Sequence, residues 1–357
     1  MKLKSLAVVS LAAIMLLGLS GCGSLSYYSQ IVNGHYALME SREDIKEIID
    51  DRKYTASVRA RLALALEIRQ FAVDELDLPD NDSYKTFVKL DRPYPIWNVI
   101  AAGKFSVKAK QWCFLVVGCI SYRGYFKLQE AEAKAKQLTD EGYDVAVSPA
   151  VAYSTLGWFN DPLLSSMLYK QDAYLAGIIF HELAHQKVYV DDDSSFNEAF
   201  ATAVELEGVR RWLAKHGEPG ANRKYRQYKH RQGEFYTLLR ATHQQLKTLY
   251  QTEKDVAVLT AGKARIIANM KSEYQRLKKA WHGDAGYDKW MARDINNADL
   301  ALVATYHELV PAFEALLKAQ DNDLVRFYAE VKRVGNLPEQ QRAEVLARLT
   351  QTTVATE

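Results

Sequence analysis

Two histidines, His181 and His185, stand four residues apart at the end of a strongly apolar stretch. The run from Leu175 to Phe180 comes directly before them and predicts a buried helix. On a helix, positions i and i+4 lie one above the other on one face, so both imidazoles can bind the same metal ion. This pair constrains the fold strongly, because it requires a buried helix that borders a polar site.

Glu182, beside the first histidine, is the candidate general base. Zinc lowers the pKa of a coordinated water towards about 7, and a neighbouring carboxylate can take the proton of that water. The carboxylate can later give this proton to a leaving amine. The pattern therefore predicts a zinc-dependent peptidase with one Zn²⁺ per chain. A pair of hydrogen-bonded core histidines is the structural alternative.

A catalytic zinc ion needs a third protein ligand and one open position. Glu198, thirteen residues after His185, falls in the first turn of a second predicted helix and is the preferred candidate. Ser195 and Glu198 also form a capping-box pattern, in which the glutamate only binds a backbone N–H. Asp191 is the rival ligand, at the position where metzincins carry a histidine. Metzincins need a glycine in the intervening turn, however, and this chain has Val188 there.

The N-terminus predicts export. Two lysines in the first four residues precede a charge-free apolar run from Ser5 to Leu19, which is short for a membrane-spanning helix. Residues 1–21 are therefore predicted to be a signal peptide. The Leu-Ser-Gly-Cys ending resembles a bacterial lipobox, which implies that Cys22 is lipidated and anchors the protein to a membrane. Because Gly23 follows rather than Asp, the resemblance implies the outer membrane of the cell envelope, with the protein facing the periplasm.

The charge balance argues against a nucleic-acid partner. The chain has 46 Lys and Arg against 44 Asp and Glu, and removal of residues 1–21 leaves 44 against 44. A neutral protein lacks the basic surface that binds DNA or RNA. The predicted partners are a peptide substrate and a membrane.

Cys113 and Cys119 are the two cysteines that remain beside Cys22. Cysteines of exported proteins meet an oxidising compartment and tend to pair. A strand bend at Gly118 can bring the two together, so a Cys113–Cys119 disulfide is predicted. Two buried free thiols are the alternative.

The pattern of apolar residues and breakers predicts an α+β protein with one unit over residues 22–357. Its predicted parts are a mixed α/β part (22–165), zinc-binding helices (166–216) and a helical part (217–357). Within these we expect helices at 27–78, 128–141, 166–190 and 195–215, and strands within 84–120 and at 144–151. Pro149 in the last strand predicts an edge position in a small mixed sheet.

Two family resemblances add to this interpretation. The block from His181 to Gln186, followed by Asn197 to Ala201, resembles the zinc site of the gluzincins, including the alanyl-aminopeptidase-like enzymes. The spacer is shorter here, and no Gly-Ala-Met-Glu-Asn exopeptidase motif is present. The lipobox and the segments 112–126, 152–159 and 304–307 are similar to a family of bacterial lipoproteins described as predicted aminopeptidases. This implies a membrane-anchored aminopeptidase. A zinc endopeptidase and a non-catalytic peptide-binding envelope lipoprotein are the alternatives.

Four further residues are candidates for the site. Zinc peptidases stabilise the oxyanion with an added donor, and Tyr306 or His307 can serve in this role. Arg123 can bind a substrate carboxylate with two hydrogen bonds, or it can stack on the tyrosines beside it. Tyr153 begins an aromatic loop that can line a side-chain pocket or simply fill the core.

Overall fold

The computed structural model describes residues 26–114, 118–168, 171–217, 219–301 and 309–354. The helices are α1 (26–40), α2 (Ile45–Asp50), α3 (Ala56–Asp74), α4 (Leu128–Asp140), α5 (Ser165–Leu168), α6 (Asp172–Lys187), α7 (Ser194–His216), α8 (Ala221–Thr252), α9 (Val256–Ala280), α10 (Asp288–Met291), α11 (297–301), α12 (Val310–Ala319), α13 (Leu324–Gly335) and α14 (Glu339–Val354). The strands are β1 (Glu43–Asp44), β2 (Thr86–Val88), β3 (Ile96–Gly103), β4 (Trp112–Phe114), β5 (Gly118–Ile120), β6 (Arg123–Tyr125), β7 (Tyr143–Ala150) and β8 (Leu163–Leu164). The predicted α+β class with a mostly helical C-terminal half is confirmed.

The described strands form three small sheets. The largest has the order β6-β3-β7, and β7 pairs with β3 along its whole length in antiparallel register. The predicted edge position of this strand is confirmed, with Pro149 opposite Trp97. A second sheet, β1-β2-β8, mixes antiparallel and parallel pairs, and β4 and β5 form a separate hairpin.

Two of the predicted helices are divided in the structure. The segment 27–78 contains α1, α2 and α3, separated by the short strand β1 and by a turn before Thr55, whose side chain caps α3. The predicted helix at 166–190 is α5 followed by α6, and α6 ends at Lys187. The second metal-site helix was predicted to within one residue at each end, since α7 runs over Ser194–His216.

The main core lies between α3, α6, α7, α12 and α13, with β2 and β8 at one side. Its largest fully buried side chains include aromatic rings from several of these helices, among them Phe180, Phe200, Phe313 and Phe327. The helices α6 and α7 approach closely at Gly208, where an added Cβ would lie 2.7 Å from the Phe180 ring. This close packing sets the distance between the two helices that carry the candidate site. A second core joins α8 and α9.

Candidate metal centre

The helices α6 and α7 bring together His181, His185 and Glu198. The two Nε2 atoms of the histidines lie 3.2 Å apart. The Glu198 carboxylate oxygens lie 3.3 Å from His181 Nε2 and 3.8 Å from His185 Nε2. One atom from each residue can be chosen so that all three lie within 4.8 Å of one another, an arrangement that could hold a metal ion.

Glu198 does not cap its helix. The N-cap of α7 is Asp193, whose side chain accepts a hydrogen bond from the Phe196 N–H at 2.9 Å. Glu198 therefore lies beyond the first turn, where its carboxylate points towards the histidines, and the capping-box alternative is wrong. Asp191, the rival ligand, is exposed and lies outside the metal-binding group.

Asn197, the neighbour of Glu198, closes the connection between the two helices. It is buried, and its side-chain amide donates to the Val190 carbonyl at 2.7 Å and accepts from the Val190 N–H at 2.8 Å. These bonds hold the chain where it turns from α6 into α7. Asn197 thus supports the position of Glu198 without facing the site.

Glu205 is a carboxylate behind His181 that was not predicted from the sequence. It lies seven residues after Glu198, hence on the same face of α7, and its carboxylate is 3.5 Å from His181 Nδ1. Its other oxygen accepts from Lys229 Nζ of α8 at 3.2 Å. Gly177 of α6 lies opposite, and a Cβ there would be 3.2 Å from Glu205 Cγ. The seven-residue spacing from Glu198 was the signal that could have identified it.

The two histidines differ in their second contact. The Nδ1 atom of His181 faces Glu205, whereas the buried Nδ1 of His185 has no hydrogen-bond partner among the described residues. A carboxylate on the outer nitrogen fixes the tautomer of a metal-binding histidine and increases its basicity. His181 is therefore the better oriented of the two candidate ligands.

The electrostatics of the centre favour a cation. Burial lowers the pKa of His181, but its hydrogen bonds to Glu198 and Glu205 outweigh burial and hold that pKa above its usual range. A divalent cation is favoured at the same point for the same reason. Burial lowers the pKa of His185 to about 4, so its imidazole is neutral near pH 7 and can act as a ligand.

Glu182 has the properties of a base. Burial raises its pKa to about 7, and the positive charge of His181 partly offsets this rise. The pKa of Glu205 moves in the opposite direction: burial raises it, but Lys229 and His181 hold it well below its usual range. Glu205 thus stays ionised, whereas Glu182 can exchange a proton near neutral pH.

Tyr122 is a further residue near the centre. It follows β5, and its ring packs against the small cluster formed by Ile100 and neighbouring side chains. Burial, followed by the negative charge of Glu198, raises its pKa well above the usual value, and Glu182 adds to the rise. Its hydroxyl therefore stays protonated and can donate a hydrogen bond.

Arg123 and Tyr153 both contact α1. The Arg123 guanidinium lies 3.7 Å from the centre of the Tyr27 ring. The Tyr153 hydroxyl lies 2.9 Å from His35 Nδ1. Their assigned roles in substrate binding remain predictions.

The predicted disulfide is confirmed. Cys113 and Cys119 lie opposite each other in the β4–β5 hairpin and are covalently bonded. Asp192, in the turn between α6 and α7, accepts a hydrogen bond from the Cys119 N–H at 2.7 Å. Gly118 has a positive φ of 68°, and Asp192 lies where its side chain would be, so this position requires glycine. The hairpin is thereby attached to the metal-site helices.

Cys22, Tyr306 and His307 lie outside the described residues, so their assigned roles also stay predictions. Among the helices that are described, none has both the length and the apolar character needed to cross a membrane.

A family model described as "Putative aminopeptidase" matches residues 26–346. The matched region includes α1, the strands, both metal-site helices and most of the helical part. Curated proteins give no match, and solved structures give none.

Proposed function

Since the chain belongs to this "Putative aminopeptidase" family, whose description suggests a peptidase, we propose that it is a zinc-dependent aminopeptidase of the bacterial cell envelope. The observation that carries the proposal is the convergence of His181, His185 and Glu198 from two packed helices, with Glu182 on the same helix as the histidines. Lipidation of Cys22 would attach the enzyme to a membrane, in accordance with its lipobox.

The donor set suits zinc. Two imidazole nitrogens and one carboxylate oxygen are the ligands of the catalytic zinc sites in gluzincin-type peptidases, and they leave one position open. Glu205 is also typical of a zinc site, because its carboxylate faces the His181 nitrogen that would not bind the metal. A hard cation such as Mg²⁺ would be expected to use more oxygen ligands.

Zinc, Glu182 and the oxyanion donors have different roles in the proposed hydrolysis. When bound, zinc supplies a Lewis acid that polarises the scissile carbonyl and lowers the pKa of water. Glu182 accepts a proton from the attacking water and passes it to the leaving amine. Burial raises its pKa to about 7 in the metal-free site, and a bound zinc ion would lower that value. In addition to the predicted donors Tyr306 and His307, a protonated phenol such as Tyr122 is a candidate donor to the oxyanion.

An aminopeptidase is preferred to an endopeptidase on the family description alone. A non-catalytic binding protein is the third candidate. The partly buried Glu182 argues against it, because partial burial of a carboxylate next to the candidate metal ligands costs stability and a binding site has no need of that base.

The decisive experiment measures metal content and peptide cleavage together. Purified protein loaded with zinc is incubated with a peptide library, and the products are read by mass spectrometry. Loss of single residues from the amino end supports the aminopeptidase, and internal cuts support the endopeptidase. Glu182→Gln should keep zinc and lose turnover. If zinc-loaded wild-type protein cleaves no peptide, the proposed peptidase activity is contradicted and the non-catalytic binding protein is favoured.

A further inference from the structure

An exposed aromatic surface lies beside the start of the described chain. The helix α1 packs inwards through Tyr27 and Leu38, which are buried, and turns a line of three side chains outwards. These are Tyr28, Val32 and Tyr36, with exposed fractions of 42%, 63% and 64%. Their spacing of four residues puts them on one face of the helix.

The loop after β7 extends this surface. Trp158 and Phe159 are 72% and 54% exposed. With Tyr36 and other residues of both elements they line a groove of about 540 Å³. The loop packs against α1, because the centroids of the Phe159 and His35 rings lie 4.6 Å apart. We call Tyr28, Val32, Tyr36, Trp158 and Phe159 the aromatic surface.

The aromatic surface is unusual for this molecule. Its members are five of the nine large hydrophobic side chains that are exposed in the described part of the chain. The helix beneath it contains no Lys, Arg, Asp or Glu from residue 26 to residue 39. Burial lowers the pKa of His35, and Arg42 lowers it further, so this histidine is neutral at pH 7. Arg42 also lines the groove, so the apolar surface has a cationic edge. A clustered apolar surface of this kind marks a site of interaction.

The position of the surface in the chain indicates its partner. The charge-free run Ser5 to Leu19 ends shortly before α1, and only four peptide steps separate Cys22 from Ser26. At most about 3.6 Å per residue, those steps reach about 14 Å. With the chain attached through a lipid on Cys22, α1 would begin within about 14 Å of the membrane surface.

We propose that the aromatic surface rests in the interfacial layer of the bilayer, with Trp158 at the depth of the lipid headgroups. Tryptophan and tyrosine prefer this layer because their rings are apolar and their polar atoms remain hydrated. The proposal rests on the membrane attachment proposed above and is independent of the peptidase activity.

The loop that carries Trp158 also contacts the helix of the candidate active site. Gly157, beside Trp158, packs against Gln186, the residue after His185: a Cβ on this glycine would lie 3.4 Å from Gln186 Cγ. The loop that enters the interface is therefore in contact with the metal-binding helix. Docking of the aromatic surface would hold the metal centre at a fixed orientation close to the membrane.

The test uses the lipidated full-length protein in vesicles of phosphatidylethanolamine and phosphatidylglycerol. Some of the lipids carry bromine near the headgroup or deep in the acyl chain, and bromine quenches tryptophan fluorescence at short range. Wild type is compared with Trp158→Phe, and with Trp290→Phe as the control for removal of another tryptophan. We expect shallow bromine to quench the wild type, Trp158→Phe to lose at least half of this quenching, and Trp290→Phe to keep it.

A matched pair of valine variants tests the surface itself. Val32 and Val325 are 63% and 62% exposed, so Val32→Glu and Val325→Glu should both fold. Val32→Glu should at least halve the quenching of Trp158, and Val325→Glu should leave it unchanged. Equal quenching in both variants would contradict the proposal, as would an unquenched Trp158 in protein that floats with the vesicles. Protein that does not float with the vesicles would refute both the membrane attachment and the interfacial position of the aromatic surface. The peptidase assay is a separate test and would not be affected.

Discussion

Glu198 lies beyond the first turn of α7, where its carboxylate faces two imidazoles and cannot cap the helix. Changing it to Gln should weaken zinc binding, because a neutral amide is a poorer ligand than a carboxylate. We expect zinc affinity to fall by more than the roughly 10–100-fold that is lost when a hydrogen-bond partner of a metal ligand is removed. Zinc titration measures the effect, and Asp191→Asn is the matched control that should bind zinc like the wild type. A Glu198→Gln protein with wild-type affinity would remove the third-ligand assignment.

Glu205 should act by positioning His181. Changing Glu205 to Gln removes the charge that faces Nδ1, and we expect zinc affinity or kcat to fall by about 10–100-fold. Glu207→Gln is the control, because this carboxylate binds Arg210 and Arg211 on the same helix, away from the metal centre. If both variants lose similar stability but only Glu205→Gln loses zinc affinity or kcat, the positioning role of Glu205 is supported. Zinc affinities that change equally in both variants would indicate a general effect on the helix.

The protonation of Glu182 predicts an acidic limb in the pH profile. Burial raises its pKa to about 7, so the carboxylate that accepts the proton is lost as the pH falls. A nearby zinc ion lowers this pKa. The fall of kcat/KM with decreasing pH should therefore be centred at or below about pH 7. A profile that is flat between pH 8 and about pH 5 would contradict the role of Glu182.

At the scale of elements, the α6–α7 pair depends on a close approach at Gly208. A methyl group there would lie 2.7 Å from the Phe180 ring and 2.8 Å from Leu76 Cδ1, which is closer than van der Waals contact. We expect Gly208→Ala to lower the free energy of unfolding by about 1–3 kcal/mol through overpacking.

Gly233 in α8 provides the matched control, because an added Cβ there meets nothing within 4 Å. Gly233→Ala should raise the free energy of unfolding by about 0.5–1 kcal/mol, since alanine favours the helix. Denaturant unfolding of both variants measures the difference. If Gly208→Ala were as stable as Gly233→Ala, the packing described for α6 and α7 would be wrong.

For the whole molecule, the prediction concerns membrane attachment. Cell fractionation should place the wild-type protein with the membranes, and Cys22→Ser should remove the lipidation site and shift the mature protein to the soluble fraction. Incorporation of a labelled fatty acid into the wild type alone is the direct control. Finding both proteins in the soluble fraction would show that Cys22 is not an anchor.

Local patterns in the sequence predicted much of the architecture. The bounds of α7, the helix α4 and the edge strand β7 follow from periodicity and from breakers such as Gly142, which has a positive φ of 89°. The pairing of Cys113 with Cys119 also followed, because cysteines of an exported protein tend to pair and Gly118 permits a bend between them. The division of 27–78 into three helices was missed, since the short strand β1 is defined by its partner β2 and not by its own residues.

The sequence alone determined which chemistry is available: the i, i+4 spacing of His181 and His185 places both on one helix face wherever that helix packs. Only the tertiary structure excluded the cap role of Glu198 and brought its carboxylate to the two imidazoles, and only it joined Glu205, Lys229 and His181. Such contacts cross from one helix to another, so they depend on the interhelical distance that small residues such as Gly177 allow. Periodicity within one element carries no information about that distance.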